Sequence, residues 1–156
     1  MSAIIQKIHT LFREKKLTLS VAESCTGGLI SHLITTLPGA SAFFEAGVVS
    51  YSAAVKEKML GVSPETIARY GVVSEQVVRE MAKNIRRLTG SDFSLSTSGN
   101  LGPEVLEGKE KGLIYIAVCS KGETLSKELR LKDNREENKE EASRLALEFL
   151  VEIVEG

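Results

Sequence analysis

The sequence predicts an α/β fold, a three-layer α/β/α sandwich on a mixed sheet, and three observations predict it. Segments of helical periodicity alternate with short β-rich segments along most of the chain. Towards the end, "GLIYIAVCS" and "ETLSKELRL" alternate well enough to form an antiparallel hairpin around Lys121-Gly122. No linker, internal repeat or low-complexity stretch divides the chain, so residues 1–156 are expected to form a single domain. Alternating helices and strands require a sheet covered on both faces, with the hairpin included in it.

The elements follow in order. In "MSAIIQKIHTLFREKK", Ile4, Ile5, Ile8, Leu11 and Phe12 make one stripe of an amphipathic helix. A strand is expected over about Leu17 to Ala22, then a helix from about Thr26 to Leu37 carrying Leu29, Ile30, Leu33 and Ile34. "PGAS" is a turn, and "AFFEAGVVSYS" a second strand ending near Tyr51. "AAVKEKMLG" is a short helix closed by Gly61. Ser63 can cap the next helix, with Pro64 at its first position. "SEQVVREMAKNIRRLTG" sets Val77, Val78, Met81, Ile85 and Leu88 on one face, and "DFSLSTSG" is a third strand. The last helix carries Ala142, Leu145, Ala146, Phe149, Leu150 and Ile153 on one stripe. Its polar first part, "NREENKEE", should face solvent or a ligand.

Composition excludes several function classes. At 156 residues the chain can bury one sizeable core, and 42% hydrophobic with 26% charged residues suits a globular domain. A formal charge of −1 gives no reason to expect a nucleic-acid or membrane partner; Lys83, Arg86 and Arg87 read as the solvated face of a helix. Cys25 and Cys119 match no metal-ligand spacing and suit a reducing compartment. The amino terminus has no cleavage signal, and no segment approaches the ~18 apolar residues of a membrane span. A cytoplasmic location is expected.

Open α/β sheets bind ligands beyond the carboxyl ends of their strands. Three such exits are polar: Glu23 to Gly28, Ser50 to Lys56, and Thr97 to Pro103. At the first, "ESCTGG" runs into a helix start, where free N–H groups can hold a phosphate or an oxyanion. No lysine follows the glycines, so it is not a P-loop; no glycine lies two residues before Ser24, so it is not a nucleophile elbow. Ser24 and Thr26 can be helix caps or catalytic groups, and Cys25 a small buried residue or a nucleophile. At the second exit, Tyr51 and Lys56 would lie about 140° apart on one helix. They converge only if Tyr51 ends the strand and Lys56 lies in the first helical turns.

A serine needs a base to become a nucleophile. The chain has only His9 and His32, one on the first helix and the other two turns beyond the glycines. A lysine is the remaining option, provided burial brings its pKa from about 10.4 to about 7–8.

Three segments carry a resemblance: "AESCTGGL", "PGASAFFEAGVVSYSAAVKEKMLGV" and "GVVSEQVVREMA". They resemble the carboxy-terminal domain family of CinA, the competence/damage-inducible proteins, whose members include the nicotinamide mononucleotide (NMN) deamidases also called PncC. The similarity runs from about Ile5 to Val154. Larger members carry an additional amino-terminal domain resembling molybdopterin-binding proteins, so this chain is expected to be the stand-alone form.

The resemblance implies hydrolysis of the NMN carboxamide to nicotinate mononucleotide and ammonia, with no cofactor and no metal. It places the catalytic serine, tyrosine and lysine on Ser24, Tyr51 and Lys56. The substrate is expected to lie against Cys25, Thr26, Gly27, Gly28, Ser98 and Gly99, with backbone N–H groups around Cys25 to Gly27 holding the oxyanion. Ser98 and Arg135 would reach the ribose phosphate, with Lys139 a second basic group. A homodimer or larger homo-oligomer is implied too.

The third exit departs from the family pattern. Relatives typically read T-G-I-A-G-P, then a glycine pair and a threonine; here "SGNLGPEVLEGKEKG" puts Ser98 for the threonine and lacks the G-G-T. Glu104, Glu107 and Glu110 enter a loop expected to face an anionic ligand. The competing reading is a catalytically silent or divergent nucleotide-binding or protein-interaction domain, and ammonia release from NMN separates the two.

Overall fold

The structure, a computed structural model, describes residues 1–156. Its sheet has five strands in the order β2-β1-β3-β4-β5. β1 (Leu19–Glu23) lies between β2 (Phe44–Val49) and β3 (Phe93–Gly99) and runs parallel to both. β4 (Leu113–Ser120) and β5 (Glu123–Arg130) continue the sheet antiparallel, forming the hairpin that alternation predicts. The architecture is therefore the mixed α/β sandwich expected.

Helices cover both faces. The larger core lies under α1 (Ser2–Glu14), α2 (Leu29–Thr36) and α6 (Arg135–Glu155), where Ile8, Phe12, Ile30, Ile34, Leu147 and Leu150 pack on Val21, Leu95 and Ile116. On the other face, α3 (Ala53–Leu60), α4 (Pro64–Tyr70) and α5 (Glu75–Thr89) close over Ala22 and Ala117 through Leu60, Val77, Met81 and Val78. β1 is buried along its whole length because it sits centrally between the two layers. No helix is long and apolar enough to cross a membrane.

The face of β3 towards α5 is made of serines. Ser94 and Ser96 donate to Ala82 O and Val78 O, each at 2.6 Å. A small side chain lets helix and sheet approach closely, and each buried hydroxyl keeps a partner.

Four helices start on side-chain caps. Ser52, Ser63, Ser74 and Asn134 accept the N–H groups of Val55, Thr66, Val77 and Glu137. α2 does not, and it begins at Leu29 rather than at Thr26 as the periodicity suggests. Gly27 (φ 58°) and Gly28 (φ 99°) adopt left-handed conformations first, which only glycine takes without strain. β2 ends at Val49, two residues before Tyr51, and a short 3-10 turn over Ala40–Ala42 precedes it. Leu88, expected on the core face of α5, is 65% exposed in the helix's last turn.

Candidate active site

The turn after β1 is organised by Glu23, whose side chain is fully buried. One carboxylate oxygen accepts from Thr26 Oγ1 (2.7 Å), Gly28 N (3.2 Å) and Ile30 N (2.9 Å). The other accepts from Ser31 N (2.9 Å) and Ser31 Oγ (2.7 Å). Glu23 thus serves the otherwise orphaned donors at the start of α2, as a capping side chain would. Its place beside the glycine turn was visible in the sequence; its structural role was not. Thr26 and Thr97 join their hydroxyls at 2.8 Å, tying this turn to β3.

Held in this way, Ser24 is 7% exposed, with its N–H donating to Thr97 O at 3.1 Å. Gly27 N donates to Ser24 O at 3.0 Å. The N–H groups of Cys25 and Thr26 donate to no protein acceptor, so these two, and not Gly27, are available to an oxyanion.

Lys56 comes from the first turn and a half of α3 and is fully buried. Its Nζ lies 2.8 Å from Ser24 Oγ, 2.7 Å from Ser50 O and 3.1 Å from Tyr51 O. This set fits a neutral amine: two N–H groups serve the two carbonyls, and the lone pair faces the serine hydroxyl. No carboxylate lies within ion-pair distance of it. Burial pushes the Lys56 ammonium down to about 8, against a smaller opposing influence from the Glu107 carboxylate. The Cys25 thiol is pushed up to about 12, chiefly by burial, so it stays protonated and contributes no charge at neutral pH. Of the two adjacent candidates, Ser24 has the base.

Beside this pair opens a cleft of about 340 Å³, lined by Cys25, Tyr51, Gly99, Leu101, Glu104 and Arg135 among others. Tyr51 is 60% exposed and reaches Lys56 through its carbonyl, while its hydroxyl accepts from Arg135 Nη2 at 3.0 Å. Arg135 also donates to Gly102 O at 2.8 Å. Gly99 is needed where it stands, since a Cβ there would meet Ile114 Cα of the neighbouring strand at 2.6 Å. Lys139 stands over the glycine turn: a methyl group on Gly27 would lie 3.1 Å from its Nζ.

Ser98 is the exception. It is buried and its hydroxyl donates to Val72 O at 2.7 Å, continuing the serine face towards α5. Strand parity turns it away from the Ser24 turn, and the residue before it, Thr97, makes that contact instead. The structure therefore does not bring the Ser98 hydroxyl to the cleft beside Ser24 and Lys56.

The 100–112 loop also differs from expectation. Glu107 faces away from the cleft, accepting from Val72 N (2.7 Å) and Val73 N (3.2 Å) and pairing with Lys109 at 3.2 Å. Glu110 pairs with Arg130. Only Glu104 of the three lines the cleft. Asn100 braces the loop from within, accepting from Leu106 N at 3.0 Å, and the buried Asn138 donates to Leu101 O at 3.0 Å. The polar start of α6 thus turns partly inwards, a role its charge-rich pattern concealed. No group of three or more His, Cys, Asp or Glu side chains comes together as a metal site would need.

Comparison with known proteins places this geometry. The family model described as the CinA C-terminal domain matches residues 1–154. A CinA-like protein of Shewanella amazonensis is 44% identical over 131 residues, 83% of this chain and 31% of its own length. The chain spans about a third of the length of the curated relatives it matches. Among solved structures, a CinA superfamily protein from Enterobacter cloacae superposes with a TM-score of 0.95 at 35% identity, covering 98% of this chain and 91% of that one. The competence/damage inducible protein CihA of Agrobacterium tumefaciens gives 0.94 at 34% identity, covering 99% and 95%. A match that runs through sheet, turn and helices at this identity is one of descent, and the chain belongs to the CinA C-terminal domain family.

Proposed function

We propose that the chain is a serine amidohydrolase that deamidates NMN to nicotinate mononucleotide and ammonia. One observation carries the reading: a buried, unpaired lysine amine 2.8 Å from a serine hydroxyl at the edge of a cleft. Neutral Lys56 takes the Ser24 proton as Oγ attacks the carboxamide carbon. The oxygen of the tetrahedral intermediate lies against the N–H groups of Cys25 and Thr26. Lys56 then returns the proton to the departing nitrogen, and ammonia leaves an acyl-serine ester. A water molecule, deprotonated by Lys56, attacks the ester carbon; Ser24 recovers its proton and the product acid is released. Tyr51 fixes Lys56 through its carbonyl and Arg135 through its hydroxyl, leaving other guanidinium N–H groups for the substrate's phosphate.

The test is ammonia and nicotinate mononucleotide production from NMN by the purified chain. Ser24→Ala is expected to lower turnover by at least about a thousandfold, because water must replace a positioned nucleophile. Cys25→Ala should keep most of it. Turnover that survives the first and is lost in the second would move the chemistry to the thiol. Binding of NMN without ammonia release would favour a silent nucleotide-binding domain.

A further inference from the structure

The cleft holds one carboxylate, Glu104, and one guanidinium, Arg135, and they do not pair with each other. Arg135 is anchored to Gly102 O and Tyr51. Glu104 makes no hydrogen bond or ion pair with protein, whereas Glu107 and Glu110 of the same loop are both engaged elsewhere. A carboxylate facing a cleft with no partner of its own repels an anionic ligand unless the ligand also presents a positive charge there. Two separated charges of opposite sign fit a ligand carrying a cationic and an anionic end.

We infer that Glu104 is a specificity-determining residue that selects a quaternised, positively charged pyridine ring, while the ligand's anionic end goes to Arg135. The inference rests on the amidase reading and deepens it. An N-substituted pyridinium carboxamide with a phosphate is such a ligand, and its ring charge also makes the carboxamide carbon more electrophilic. The same nucleotide with a reduced, uncharged dihydropyridine ring keeps the phosphate and the amide but loses the cation that Glu104 would meet. Leu101, Val105 and Leu106 line the cleft beside Glu104 and offer apolar surface to the ring next to the charge.

The experiment measures dissociation constants by calorimetry in a Ser24→Ala background, so that nothing turns over. The ligands are NMN and its 1,4-dihydro form. With Glu104 present, NMN should bind more tightly than the reduced form. Glu104→Gln should weaken NMN about fivefold and leave the reduced form nearly unchanged, and Glu104→Lys should reverse the preference. Glu104 is exposed and unpartnered, so all variants should melt at the parent temperature. An unchanged ratio in both variants, equal binding in the parent, or no binding of NMN at all overturns the assignment. Ammonia release by the wild-type chain is read separately. Release with an unchanged ratio defeats the Glu104 assignment alone, and a changed ratio without release upholds it and defeats only the amidase reading.

Discussion

Two loops meet at the cleft, each held by a glutamate that accepts backbone N–H groups, and they are built differently. Glu23 is completely buried and serves donors no more than eight residues away, from Thr26 to Ser31. Glu107 keeps 28% of its side chain exposed and reaches Val72 and Val73, more than thirty residues back in sequence. The first turn is therefore set largely by its own local chain, with ties to Thr97, and carries Ser24. The second depends on the packing of distant segments and supplies the cleft wall that carries Glu104. The nucleophile proposed for the chemistry thus sits on a turn braced mainly from within, and the loop braced from afar lines the open side of the cleft.

Substitutions test that contrast, and the largest effect belongs to the reacting pair. Lys56→Arg keeps a positive charge but cannot offer a neutral base, because guanidinium stays protonated. Single-turnover hydrolysis should fall by about a thousandfold or more. In the wild type, the rate should rise about tenfold per pH unit below the Lys56 value of about 8 and level off above it, since only the unprotonated amine accepts the serine proton. A flat profile between pH 6 and 9, or a near-normal rate for Lys56→Arg, would show that another group activates Ser24.

Next comes Glu23→Ala. It strands four donors at the start of α2, Gly28 N–H, the buried Ile30 N–H, Ser31 N–H and the Ser31 hydroxyl, while the Thr26 hydroxyl keeps Thr97, and should cost about 3 kcal/mol in urea unfolding. Activity should fall with it, because the same turn carries Ser24. A loss below about 0.5 kcal/mol would mean that water or a neighbour replaces the carboxylate.

Glu107→Ala should have the smallest effect. The exposed Val72 N–H can turn to solvent, leaving the part-buried Val73 N–H without its acceptor, so the expected loss is about 1 kcal/mol, with faster proteolysis within 100–112. The Glu107 charge favours the Lys56 ammonium, so its removal should shift the acid limb of the rate profile to lower pH. A shift to higher pH would contradict this account of Lys56.

Particular residues show how far the sequence could be read. Ser24, Tyr51 and Lys56 stood at strand exits in sequence, and the structure brings Lys56 to Ser24. The start of α2 was misplaced because apolar spacing cannot register two left-handed glycines. Ser98, expected at the substrate, bonds Val72 O, because its neighbour Thr97 is equally polar and only strand register decides which of the two faces the turn. Glu107 and Glu110 looked like ligand-facing charges, since nothing local reveals that Val72, Val73 and Arg130 will arrive to meet them.

The sequence by itself determined the order and type of elements, the hairpin, the glycine turn and the scarcity of histidine bases. Those follow from periodicity, conformational freedom and composition, which are properties of short segments. Tertiary structure alone decided that Lys56 is buried without a carboxylate, with two carbonyls and a serine hydroxyl around its amine. A lysine's basicity depends on how much water and which charges surround it, and those are set when α3 packs against the ends of β1 and β2.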